Sequence, residues 1–145
     1  MTRHELLQFM RGHTLAVQAS VSSSGSPQTA VVAVAVSDEF HLVFDSVDSS
    51  RKVLNLRQNP KISFVIGGWM ENDERTVQYD GVVDEPIGAE LETLKALYFE
   101  RFPSGRNRQS WPGLIYMRAK PNWIRYSDFN IRPPEIAEFS FDKGV

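Results

Sequence analysis

The chain has 145 residues, 41% of them apolar and 23% charged, with a formal net charge of −2. That length predicts one domain over residues 1–145, able to bury about 68–70% of the surface its unfolded chain exposes. Sixteen basic against 18 acidic residues exclude the cationic excess of a nucleic-acid binder, and zero cysteines exclude disulfide frameworks, thiolate metal sites and cysteine nucleophiles.

No apolar run approaches about 18 residues, so no transmembrane helix is predicted. Met1–Gly12 lacks the apolar run of a signal peptide, and a cytoplasmic location is the expectation. Thr2-Arg3-His4-Glu5 reads as a capping box, followed by the apolar stripe Leu6, Leu7, Phe9, Met10 and a stop at Gly12. Leu15, Val17, Ala19 and Val21 alternate as in a strand. The turn Ser23–Pro27 leads into Ala30–Val36, apolar on both faces, which must be covered on both sides: by the barrel interior on one, by a partner subunit on the other.

Phe40, Leu42 and Phe44 predict a third strand, Arg51–Asn59 a short helix closed by Pro60, and Ile62, Phe64 and Ile66 a fourth strand ended or bulged by Gly67-Gly68. A fifth strand is expected over Arg75–Asp84. Pro86 and Gly88 open a helix with Leu91, Leu94, Leu97 and Tyr98 at spacings of three and four. Phe102–Pro112 reads as a loop. Leu114–Ala119 and Trp123–Ser127 read as two strands broken by Pro121, and 129–145 as a tail anchored by Ile136, Phe139 and Phe141. Six or seven strands joined by short turns predict a mainly β protein, antiparallel and closed into a small barrel that removes its edges.

The strongest local chemistry is Asp45-Ser46-Val47-Asp48-Ser49-Ser50-Arg51-Lys52, a hydroxyl-rich turn entering a helix. Cations in a helix's first turn oppose its dipole. A bound anion reverses that sign, and free N–H groups, the Ser49 and Ser50 hydroxyls and two cations make a phosphate site. The alternative is that Ser50 merely caps the helix and both cations face water. Neither G-x-G-x-x-G nor G-x-x-x-x-G-K-[ST] is present. His4, His13 and His41 lack metal-ligand spacing, so no metal is expected, and no G-x-S-x-G marks a hydrolytic serine. Trp123 shares a strand face with Arg125, a pair suited either to a planar anionic ligand or to core packing. The arginines of 101–108 either line a pocket or face solvent.

The string Ser49-Ser50-Arg51-Lys52, Asn55-Leu56, Asn59-Pro60 before a strand resembles the pyridoxamine 5′-phosphate oxidase-like, FMN-binding split-barrel family. The Gly25-Ser26-Pro27 turn and the Trp123-Ile124-Arg125 strand extend the resemblance over roughly residues 5–128. It implies a six-stranded antiparallel split β-barrel, homodimeric, with cofactor at the subunit interface. It implies FMN phosphate on Arg51 and Lys52, the turn at Asp45 and Ser46 against the flavin, and Val32 and Val34 along the ring. From the second subunit it implies polar groups such as Thr76 or Gln78 and a tryptophan, Trp123 or Trp111, beside Arg125. True pyridoxamine phosphate oxidases carry an arginine and a lysine where this chain has Ala30–Ala35, and a C-terminal Arg-x-His that is absent here. The resemblance therefore implies an FMN-dependent oxidoreductase acting on another small substrate, with NAD(P)H a candidate. The alternatives are a deazaflavin-dependent reductase in the same groove, or a flavin-binding electron carrier without turnover.

Overall fold

A computed structural model describes residues 1–141. Helix α1 (Arg3–Arg11) starts at the predicted capping box: Thr2 Oγ1 accepts from the Glu5 N–H, and the Thr2 N–H donates to Glu5 Oε2. Then come β1 (Leu15–Val21), β2 (Pro27–Ala33), β3 (Ala35–Val36) and β4 (Leu42–Val47). Helix α2 (Arg51–Gln58), β5 (Lys61–Gly67), β6 (Arg75–Asp84) and α3 (Gly88–Arg101) follow. A 3₁₀ segment (Pro103–Ser110), β7 (Leu114–Asp128) and β8 (Glu135–Ser140) are the last elements among the described residues.

All pairings are antiparallel, in the order β2-β1-β5-β6-β7-β4-β3, with β8 added on β7. Strands β2 and β3 stand at opposite ends of that order, yet only Val34 separates them in the chain. The run 27–36 thus bends from one end of the sheet to the other, and its two pieces curl the sheet into a split barrel. Counted as one strand, they give the six expected, and β8 is a seventh that was not expected. It forms from the predicted tail, where Phe139 and Phe141 pack on the main core and Ile136 stays exposed. Positions 142–145 of that tail lie outside the described residues.

The two strands predicted around Pro121 are one, β7. Proline has no N–H for the ladder, so it fits a strand only where the ladder is interrupted. Here the β6–β7 register shifts between Asp80 and Gly81, with Gly81 opposite Pro121. The bulge brings the Lys120 carbonyl so close to Gly81 that a Cβ there would lie 2.3 Å from its oxygen. The expected loop 102–112 is mostly the 3₁₀ segment.

The larger core fills the barrel and includes Phe44, Phe64, Tyr79 and Ile124. The Tyr79 hydroxyl is satisfied inside it by the carbonyls of Phe40 and Ala119. A smaller core, with Leu94, Tyr98, Phe99 and Tyr116, seats α3 on β3, β4 and β7. Among the described residues, no helix is long and apolar enough to cross a membrane.

Candidate functional site

Strand β4 runs out at Val47, and the chain turns through Asp48–Ser50 into α2. Ser50 is the N-cap: its Oγ accepts from the Val53 N–H at 3.4 Å and lies 3.0 Å from the Ser46 Oγ. The Leu54 N–H starts the helical ladder on the Ser50 carbonyl. The N–H groups of Arg51 and Lys52 have no acceptor among the described residues, as expected for a helix's first turn. No acidic residue stands in that turn. Arg51 is exposed and Lys52 half-buried. Neither makes a salt bridge to a described carboxylate, whereas Arg57, one turn on, is held by both oxygens of Glu85. Two cations without a described salt-bridge partner, free N–H groups and two hydroxyls thus belong to one segment, 46–52, in which Ser49 is exposed.

The orientation of α2 is fixed from beneath. Buried Asn55 donates through Nδ2 to Ser20 Oγ at 3.1 Å and to Gln28 Oε1 at 2.8 Å, tying the helix to β1 and β2. Beside it, Gln18 Oε1 is buried without a partner.

Asp45 does not face the corner freely. Its carboxylate accepts from Arg108 Nε at 2.9 Å and from the Tyr98 hydroxyl at 3.3 Å, and Arg108 Nη2 donates to that hydroxyl at 3.1 Å. Burial, reinforced by Asp45, pushes the Tyr98 phenol up to about 12. The bond to Asp45 holds the Arg108 guanidinium above its ordinary value. Burial also raises Tyr116, whose hydroxyl has no partner. Arg108 and Tyr98 were not in the predicted site. Asp45 and Arg108 are far apart in sequence, and no local spacing signals their pairing.

The side chains of Val32 and Val34 point into the barrel core, 7% and 1% exposed. The alternation of β2 turns Val31 outward instead, 63% exposed. Thr76 and Gln78 lie on the outer face of β6, opposite Ser127 and Arg125 of β7. Trp123 lies opposite Asp80, half-buried, and Trp111 is 52% exposed after the 3₁₀ segment. The Arg125 Nε is buried without an acceptor, although its Nη1 lies 3.9 Å from Glu138.

The structure thus makes two groups of the predicted residues. Asp45 pairs with Tyr116 on β7, and Gln78 pairs with Arg125, nine positions farther along the same strand. That is about 30 Å of strand at roughly 3.3 Å per residue. Within one protomer, the phosphate-type corner and the Gln78–Arg125 face do not meet.

A third feature is a cleft of about 400 Å³ away from the corner, between α1, the β2–β3 junction and α3.

Comparison with known proteins agrees with this fold. A pyridoxine/pyridoxamine 5′-phosphate oxidase of Bordetella pertussis is 30% identical over 125 residues, covering 80% of this chain and 57% of that protein. The chain thus spans little more than half the length of that curated relative. Among solved structures, a heme binding protein from Mycobacterium smegmatis superposes with a TM-score of 0.81 at 15% identity, covering 97% of this chain and 58% of that one. A pyridoxamine 5′-phosphate oxidase-related, FMN binding protein from Nostoc punctiforme gives 0.65 at 12% identity, covering 97% and 91%. At such identities both likenesses concern the fold. Residues 2–128 match the sequence profile described as pyridoxamine 5′-phosphate oxidase, and on that match the chain belongs to this family.

Proposed function

We propose that the chain binds FMN at the β4–α2 corner, in a homodimer, and serves as an oxidoreductase for a small substrate. The observation that carries this reading is the pair of cations, Arg51 and Lys52, without a described salt-bridge partner, at a helix start that has free N–H groups and no acid in its first turn, Asp48 standing before the N-cap. Isolated, that arrangement is electrostatically unfavourable, and a phosphate dianion makes it favourable.

Dimerisation supplies what one protomer lacks. The register lines up Val31, Val17, Val65, Gln78 and Arg125 in one row across the outer face of β2, β1, β5, β6 and β7. Val31 and Val65 are 63% and 40% exposed, an apolar surface of the kind that marks an interface. A second copy covering the valines brings its own Gln78 and Arg125 into the same contact, and the buried Arg125 Nε wants an acceptor. On this reading one protomer holds the phosphate, and its partner places Gln78, Arg125 and Trp123 against the ring.

FMN, when bound, supplies the hydride chemistry. Arg51 and Lys52 hold the phosphate, Ser46 and Ser50 orient it, and the apolar surface from the two copies excludes water. The Bordetella relative is a pyridoxine/pyridoxamine 5′-phosphate oxidase, but this chain has no cation in Ala30–Ala35, so a phosphorylated vitamer is not the proposed substrate. NAD(P)H is the first co-substrate to try. A deazaflavin coenzyme is the second reading, because its phosphate suits the same two cations. The test is the visible spectrum of the purified protein after adding FMN and dialysing. A two-band flavin spectrum that survives dialysis supports the reading. A colourless protein removes FMN and leaves deazaflavin binding to be assayed directly.

A further inference from the structure

The cleft between α1, the β2–β3 junction and α3 has no part in that reading; no residue of the corner at 46–52 lines it. Its volume, about 400 Å³, suits a small organic molecule. Its polar groups are arranged unevenly.

Arg11, at the end of α1, is clamped: Nε and Nη2 donate to the Val36 carbonyl at 3.1 and 2.9 Å, and Nη2 also meets Asp38 at 2.9 Å. The clamp fixes the guanidinium plane and leaves Nη1 without an acceptor among the described residues. Arg101, at the end of α3, donates one Nη2 bond to the Arg11 carbonyl at 3.0 Å and makes no salt bridge to a described carboxylate. Its other N–H groups are therefore available. The Nδ1 of His13 lies 3.0 Å from the Phe9 carbonyl oxygen. A carbonyl only accepts, so Nδ1 carries the proton and Nε2 is left open. Leu97, half-buried, supplies apolar side-chain surface beside the nearly fully buried Val34, Ala35 and Val36 of the β2–β3 junction. Glu100 stands on the same wall as Arg101, without a salt bridge, and opposes a second negative charge.

We propose that this cleft is a binding site for a small organic monocarboxylate with an apolar body. The carboxylate pairs with Arg101 and the free edge of Arg11, and the body lies on Leu97 and the β2–β3 junction. A flat guanidinium with spare donors matches a carboxylate's geometry. Glu100 disfavours a dianion such as inorganic phosphate.

The test is titration of the full chain with benzoate, followed by amide chemical shifts, with inorganic phosphate as the contrast. Saturable shifts centred on residues 11–13, 34–36 and 97–101 are expected for benzoate, with phosphate binding more weakly. Arg101→Gln should weaken benzoate by roughly 10- to 150-fold, the range for one charge-assisted contact. Leu97→Trp should abolish binding by filling the cleft, and Glu100→Gln should tighten it. If Leu97→Trp does not fold, the two polar variants decide. No saturable shift with benzoate, binding indifferent to Arg101→Gln, or phosphate bound as tightly as benzoate would overturn the proposal. FMN binding by the same samples reads out the corner independently.

Discussion

Arg51 and Lys52 share the first turn of α2 with no acid in it, while Arg57 and Arg108 each hold a carboxylate. If they hold a phosphate, Arg51→Ala and Lys52→Ala should each weaken FMN binding by roughly 1.5–3 kcal/mol, the worth of a bond to a charged group. A fluorescence titration of FMN against each variant measures this, and unchanged affinity in both would remove phosphate from the corner. Asp45 illustrates the opposite case, a charge that the fold engages internally. Its partner Tyr98 titrates near 12 in the folded protein and near ~10 when unfolded. The folded state therefore keeps the phenol proton longer than the unfolded state does. The stability that the neutral phenol contributes is complete below pH ~10 and declines as pH rises toward 12. Tyr98→Phe should flatten the fall in unfolding free energy between pH 9.5 and 11.5, read by urea denaturation at stepped pH. Some slope will persist, because burial also raises Tyr79. A variant that retains the full wild-type slope would assign the alkaline transition to other groups.

At the scale of elements, what the sequence made legible follows from which forces are local. Capping, alternation and three-four spacing are local, and the predicted α1, α2, β1, β5, β6 and α3 fall where those signals put them. Pro121 carries no local sign that a strand runs through it, because its tolerance depends on the bulge opposite Gly81, set by the pairing of two strands some 40 positions apart. The β8 strand is hidden for a related reason: the pairing of Glu135–Ser140 depends on the free edge of β7, which no local pattern reveals. The candidate site divided in the same way. Ser46, Ser50, Arg51 and Lys52 are neighbours in sequence and were found together. Arg108 reaches Asp45 only through the packing of α3, and the inward turn of Val32 and Val34 depends on which face of β2 meets the barrel. Gly81 carries a testable consequence. A methyl there meets the Lys120 carbonyl at 2.3 Å, a contact with backbone that no side-chain rotation relieves. Gly81→Ala should lower the unfolding free energy by about 2–3 kcal/mol, near the upper end of ordinary single-residue effects. Urea denaturation monitored by tryptophan fluorescence checks it, and a loss under ~0.5 kcal/mol would mean that the bulge relaxes freely.

At the scale of the whole molecule, the outer face of the sheet decides how the parts of the site can combine. The corner at 46–52 and the Gln78–Arg125 pair lie at different places along β7, so on the proposed reading each needs the partner's half. The row Val31, Val17, Val65, Gln78, Arg125 links the apolar surface to the polar pair. Covering the first therefore commits the position of the second. Because the Val31 side chain is largely outside the barrel core, a charge in its place acts on association far more than on folding. Val31→Asp places two like charges near each other across a two-fold contact and removes apolar area from it. The wild-type chain should elute as a dimer in light-scattering chromatography, and Val31→Asp should elute as a monomer with an unchanged far-ultraviolet circular dichroism spectrum. FMN affinity should fall in the same variant although Arg51 and Lys52 are intact, because the partner's half of the site has gone. A Val31→Asp protein that stays dimeric would place the interface on another face. One that becomes monomeric yet binds FMN undiminished would confine the cofactor to a single protomer.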